Sequence, residues 1–116
     1  MNAERHLENY FRLWMTHDPA AMAALYAEDA VMEDPTLVEP RVGRDAIERY
    51  YAEMFGELER PEHALLDFAS RGERAWFEWS FGSGGERSPR VSYHGVSIQT
   101  LRDGLIVHDD AFWNPA

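Results

Sequence analysis

Between Ala3 and about His17, apolar residues recur at Leu7, Tyr10/Phe11 and Trp14, a helical interval that gathers all four on one face. Asp18-Pro19 reads as an N-cap followed by a first-turn proline, opening a short second helix through Met22, Leu25 and Tyr26. Ala30-Val31-Met32 is a brief extended run. It halts at Asp34-Pro35, because proline pushes the residue before it out of the helical region. Thr36 to Val42 reads as loop, and Gly43-Arg44-Asp45 opens a third helix whose Ile47, Tyr50/Tyr51, Met54 and Phe55 share an apolar side. Beyond Pro61 the period shortens to two, and His63–Ala69, Arg74–Phe81, Arg90–Leu101 and Leu105–Trp113 read as strands. A polar hairpin loop, Gly82–Pro89, and a tight turn, Arg102-Asp103-Gly104, connect them. Helices followed by a strand meander predict a single α+β domain over residues 1–116, with three N-terminal helices on one face of an antiparallel sheet.

Three short helices leave the other face of such a sheet uncovered. In 74–81, Ala75, Phe77, Trp79 and Phe81 alternate with Trp76, Glu78 and Ser80, so both faces carry apolar bulk. With Trp76 outside, a back-to-back homodimer is the expected remedy. At 45% hydrophobic and 13% aromatic, the chain has ample material for a core. A formal net charge of -10 argues against nucleic acid and anionic membranes, which call for a concentrated basic surface. With no Cys, a disulfide framework, a thiol nucleophile and Cys-ligated metal sites are excluded. No apolar run approaches the ~20 residues of a membrane span, and Met1–Trp14 lacks the pattern of an export signal. The expectation is a soluble cytoplasmic domain whose partner is a small hydrophobic molecule.

Asp34 leads the residues that could carry chemistry. A carboxylate in an Asp-Pro pair is ordinarily a solvated turn residue, but this one stands where a strand leaves the helix layer, at the rim of a possible pocket. Tyr10, Tyr26 and Tyr51 fall on the apolar faces of three predicted helices. They read either as core aromatics or as a hydrogen-bonded chain with one O–H left for an oxyanion.

The run Ala24–Tyr51, ALYAEDAVMEDPTLVEPRVGRDAIERYY, resembles the ketosteroid isomerases, in which Glu-Asp-Pro is followed by Glu-Pro-Arg, a Gly and a helix ending in aromatic-Tyr. More broadly it is similar to the SnoaL-like, nuclear-transport-factor-2-like superfamily, whose last hairpin LRDGLIVHDDAFWN also resembles. The resemblance implies a cone-shaped, cystatin-like α+β fold: three helices on a curved, mostly antiparallel sheet. It puts Asp34 at the general base, Tyr10 at the oxyanion-holding tyrosine, and Tyr26 and Tyr51 at the supporting tyrosines. In those isomerases an Asp moves the proton while a Tyr and a neutral carboxylic acid stabilise the dienolate. Here the position of that acid falls on Val96, or on Ser97 with a one-residue shift.

Two residues could compensate. His94 lies two positions before Val96, on the same side of its strand, and an imidazole there could donate to an oxyanion; the alternative is a partly exposed strand histidine. On the last strand, Val107, Asp109, Ala111 and Trp113 share a side that the resemblance turns toward the cavity. An inward Asp109 would add a second carboxylate for acid/base work; the alternative is a polar edge strand. His6, His17, His63, His94 and His108 show no metal-ligand spacing, so no metal and no cofactor are expected. Glu28, Asp29, Glu57 and Glu59 read as solvated surface. The function implied is a cofactor-independent acid/base enzyme acting on a small hydrophobic carbonyl or hydroxyl compound. The alternatives are a cyclase, dehydratase or hydrolase, or a non-catalytic ligand-binding dimer.

Overall fold

Helix α1 (Ala3–Trp14) begins where the Asn2 side chain accepts the Arg5 amide, and it buries Ala3, Leu7, Tyr10, Phe11 and Trp14. Helix α2 (Pro19–Ala23) begins at Asp18, whose carboxylate accepts the amides of Ala20 and Ala21 just ahead of the N1 proline. In this computed structural model, which describes residues 1–114, α2 ends three residues before Tyr26. Tyr26 is not helical, as its spacing suggested. It is the first residue of β1 (Tyr26–Glu33), and the Ile106 amide, donating to Leu25 O, draws the chain into the sheet there. Residues expected as loop include a two-residue strand, β2 (Arg41–Val42), paired with Val31 and Met32. Helix α3 (Arg44–Glu57) starts at Gly43, whose φ of +96° disfavours any side chain and whose amide donates to Ala30 O. Arg44 Nε also donates to Tyr26 O at 2.9 Å, so α3 and its tyrosines are anchored to β1 at two points.

Four longer strands complete the fold: β3 (Glu62–Arg71), β4 (Arg74–Ser83), β5 (Val91–Arg102) and β6 (Leu105–Trp113). The β5–β6 turn carries φ of 53° at Asp103 and 79° at Gly104, the two positive values a tight hairpin turn requires. The strand order is β2-β1-β6-β5-β4-β3, with β1 parallel to β6 and the other neighbours antiparallel. The sheet is therefore mixed rather than mostly antiparallel: β1 arrives from the helical layer and lies beside the last strand of the chain. That placement also removes the edge-strand reading of β6, which is flanked by β1 and β5.

Alternation divides the sheet as its sequence suggested. Ala75, Phe77 and Trp79 are buried under the helices, with Gln99, Leu101, Ile106 and Asp109 on the neighbouring strands. Leu7, Met22, Tyr26, Ile47, Phe77 and Ile106 are fully enclosed; each such side chain contributes about 1.5–3 kcal/mol of burial. On the opposite face Trp76, Val96, Ile98 and Phe112 form an apolar strip, with Val96 and Phe112 at 41% and 52% exposure. This strip is the surface that the expected self-association would use. Glu59 is not solvated surface: it is buried, accepting the Arg87 and Ser88 amides and the Ser88 hydroxyl, and so clasps the β4–β5 loop. Among the described residues, no helix is long and apolar enough to cross a membrane.

Candidate active site

A cavity of about 580 Å³ opens between the helices and the inner sheet face, within the usual range for small-molecule sites. One wall is aromatic, formed by Trp14, Trp79, Phe81, Tyr93 and Trp113. The lining also carries Tyr10, Tyr51, Asp34 and Asp109, so four of the six residues singled out from the sequence meet on one hollow.

Asp34 leaves the end of β1 into a turn with Pro35 in second position, closed by the Leu37 amide on Asp34 O. Its Oδ1 accepts the Thr36 amide at 2.7 Å and the Thr36 hydroxyl at 2.6 Å, and its Oδ2 accepts from Tyr50 Oη at 2.8 Å. Both oxygens are thereby oriented at a half-buried rim position. Tyr50 was not singled out from the sequence. Helical spacing had placed it beside Tyr51 on the apolar side of α3, but one residue further around the helix is about 100° of rotation, enough to reach a different carboxylate.

Tyr10, Tyr26 and Tyr51 form the hydrogen-bonded chain. Tyr26 Oη donates to Asp109 Oδ2 at 2.6 Å and lies 2.7 Å from Tyr51 Oη, which lies 3.3 Å from Tyr10 Oη. Each hydroxyl has one proton. With Tyr26 committed to Asp109, Tyr51 donates to Tyr26, which makes Tyr10 the donor across the long contact to Tyr51; turning that O–H into the cavity exchanges this bond for one to a ligand oxygen. Burial, reinforced by the charge of Asp109, raises the pKa of Tyr10 and Tyr26, and burial likewise raises that of Tyr51. All three remain protonated donors. Tyr26 stands behind the cavity, out of its lining.

Asp109 is the inward residue of the pair weighed from the sequence; His94 is not. His94 is exposed on the outer face, paired with Ser80, and Val96 points the same way, while Ser97 is buried and lines the cavity. The strict alternation that put His94 with Val96 holds, but the whole set faces out, so His94 drops from the candidate site. Ser97 Oγ accepts from Trp79 Nε1 at 2.9 Å. Asp109 Oδ2 accepts a second hydrogen bond, from Gln99 Nε2 at 3.2 Å, and Oδ1 is left for the cavity.

His63, passed over in the sequence, also lines the cavity. It is packed among Phe11, Trp14 and Trp79 at centroid distances of 4.8–4.9 Å, and its Nδ1 is buried without a hydrogen-bond partner. Glu33, which also contributes to the cavity lining, converges with His108 and Asp110, their polar atoms within 4.8 Å of one another. His108 Nε2 is hydrogen-bonded to Glu33 Oε2 at 2.7 Å.

Burial pushes the Asp109 carboxyl up to about 6, against the lowering effect of the Tyr26 and Gln99 hydrogen bonds. Relative to its ordinary value of 3.8, the folded chain retains a proton that the unfolded chain gives up between about pH 4 and 6. This group's contribution to stability therefore falls as pH rises through that window, by about 3 kcal/mol. His63 acts in the opposite sense. Burial lowers its pKa to about 3, so the unfolded ring takes up a proton below 6.5 that the folded ring refuses, and stability is lost as pH falls. The two slopes oppose each other in the wild type. Melting curves of Asp109→Asn should show its melting temperature gaining on the wild type from pH 4 to 7; a constant difference would contradict the assignment.

Residues 7–109 match the SnoaL-like domain family. A steroid delta-isomerase of Nocardioides simplex is 36% identical over 98 residues, covering 84% of this chain and 77% of that protein. Among solved structures, a protein of ketosteroid isomerase-like fold from Catenulispora acidiphila DSM 44928, in complex with trimethylamine, has a TM-score of 0.87 at 17% identity, covering 95% of this chain and 85% of that one. The epoxide hydrolase/cyclase-like enzyme SalBIII, of pyran ring formation in salinomycin, has a TM-score of 0.84 at 22% identity, covering 97% and 90%. At these identities the structural likeness speaks for the fold.

Proposed function

This chain belongs to the SnoaL-like domain family, and on that premise we propose that it moves a proton within a small, flat, apolar carbonyl compound without a cofactor. The observation that carries the reading is a pair of carboxylates on one cavity in opposite surroundings. Asp34 stands at the rim with hydrogen bonds from Tyr50 and Thr36, whereas Asp109 is buried behind phenols. Such a pair divides into base and acid, because desolvation keeps the buried member protonated more easily than the wet one. Asp34 takes a proton from the carbon next to the carbonyl, and the electron pair passes to the carbonyl oxygen. Tyr10 Oη and a proton on Asp109 Oδ1 stabilise that oxygen. Asp34 then returns its proton to a different carbon, which completes a double-bond shift. The isomerase named among the relatives supports this reading.

A second reading, acid-assisted ring closure or dehydration, is favoured by Asp109, a buried acid where a purely enolising site needs only a donor. In it Asp109 protonates the departing oxygen while Asp34 accepts the proton of the attacking or eliminating group.

Turnover of a panel of β,γ-unsaturated ketones, hydroxy-ketones and hydroxy-epoxides in D₂O separates the two. Enolisation predicts deuterium, exchanged from solvent onto Asp34, on the carbon that receives the proton and, by reversal, on the carbon beside the carbonyl; ring closure predicts none on carbon. A panel that raises the melting temperature yet returns chemically intact would replace both readings with ligand binding alone.

A further inference from the structure

We infer that His6 is a positioning residue: by fixing the amide of Gln99, it directs the proton of Asp109 to the oxygen that faces the cavity. The inference rests on the acid role proposed for Asp109 and extends it to a residue outside the cavity. His6 lies on α1 in a groove on the far side of the fold, lined also by Asn2, Arg5, Glu73, Leu101 and Arg102. Its Nε2 is 2.7 Å from Gln99 Oε1, and Gln99 Nε2 donates in turn to Asp109 Oδ2. Gln99 is fully buried between them.

An amide side chain has nearly the same shape in its two flipped orientations, so only its partners select one. When His6 carries its proton on Nε2, it demands the Gln99 oxygen, and the amide NH₂ must point at Asp109. Oδ2 then accepts from both Gln99 and Tyr26, leaving no room for a proton of its own. Any proton on the carboxyl resides on Oδ1, toward the cavity. With the opposite tautomer, Nε2 would accept from the amide, Gln99 Oε1 would face Asp109, and the acid proton would be drawn to Oδ2, into the protein and away from substrate. Burial lowers the His6 pKa, while the Gln99 hydrogen bond raises it, which favours a neutral ring with one defined tautomer.

The groups that face this relay are few. Around Asp109 they are Tyr26 on β1, Tyr50 and Tyr51 on α3, Tyr10 on α1 and Gln99 on β5, with His108 and Asp110 as chain neighbours. Around His6 they are Gln99, the Tyr10 ring at 6.5 Å, the charged groove residues Arg5, Glu73, Arg102 and Asp103, and the N-terminal amine of Met1, which is 3.4 Å from Glu73 Oε1.

Two spectroscopic readouts, neither requiring turnover, test the inference. In the wild type, ¹⁵N shifts of His6 near pH 7 should report a neutral ring protonated on Nε2; a ring protonated on Nδ1 alone would overturn it. Titration of the ¹³C-labelled Asp109 carboxyl should then move upward by about one unit in His6→Phe, a tenfold change in its proton affinity, because Gln99 is released to flip and no longer favours the ionised form. His6→Asn, which offers an amide donor, should restore part of the difference. An Asp109 titration unchanged in His6→Phe would refute the coupling. If the titration moves as expected while no substrate is turned over by any form, the coupling stands and the acid role of Asp109 falls instead.

Discussion

Asp34→Asn should lower turnover of whatever carbonyl substrate the protein accepts by about a thousand-fold, while leaving the fold in place. General-base catalysis is worth ~10²–10⁴, and Asn has the size to keep the turn that Asp34 builds: its Oδ1 still accepts the Thr36 amide and hydroxyl. What is lost is the ability to take a proton. Tyr50→Phe should cost less, about tenfold, because it removes one orienting hydrogen bond at 2.8 Å and leaves the carboxylate itself. Steady-state kinetics beside melting curves would check both. Turnover of Asp34→Asn within two- or threefold of wild type would place the base elsewhere.

The largest effect on stability is expected at Gly95. A Cβ built there would lie 2.2 Å from Cζ2 of Trp79 and 2.4 Å from Cη2, well inside any real contact. The indole has nowhere easy to go. It is tied to Ser97 Oγ at 2.9 Å, and it meets His63 at 4.9 Å and Trp113 at 5.7 Å between ring centroids. Gly95→Ala must therefore displace Trp79, at an overpacking cost of about 1–3 kcal/mol plus about 1 kcal/mol for the broken hydrogen bond. That corresponds to a fall of roughly 10–20 °C in melting temperature for a domain of this size. Trp79 also forms a wall of the cavity, so ligand affinity should fall in parallel. Gly56→Ala on α3 is the natural control: its added Cβ meets nothing within 4 Å, and it should leave stability unchanged or raise it slightly. Equal melting temperatures for Gly95→Ala and the wild type would mean the indole has room that its surroundings do not show.

How much of the site could be read from the chain depends on whether a residue's role is local. Asp18-Pro19, Asp34-Pro35 and Arg102-Asp103-Gly104 were legible because each turn or cap is closed by its own neighbours, within three residues. The helical faces of α1 and α3 and the alternation along β4 were legible because a period of 3.6 or two is imprinted on consecutive residues. Tyr26 was misassigned to a helix because Met22, Leu25 and Tyr26 fit a helical face; the competing bond, Ile106 to Leu25, comes from about eighty positions away. Gln99 went unnoticed, and Tyr50 and His63 were given no part in the site, for the same reason: none carries a local motif, and each takes its neighbours from other strands or helices. Ser97, one of the two positions the resemblance offered for the second donor, is the one that faces inward.

Period and punctuation along the chain were enough to determine α1, α3, the start of α2, the hairpins and the two sides of each longer strand, while the separate likeness of motif residues to a known family marked Asp34 and Tyr10. They could not decide which side of a strand is the inside. That is settled by the helices lying on one face of the sheet, where Asp109 meets the tyrosines, while His94 is left on the other face. Alternation specifies that two sets of side chains part company, but desolvation of one set depends on which layer packs against it. Only the assembled helices supply that layer.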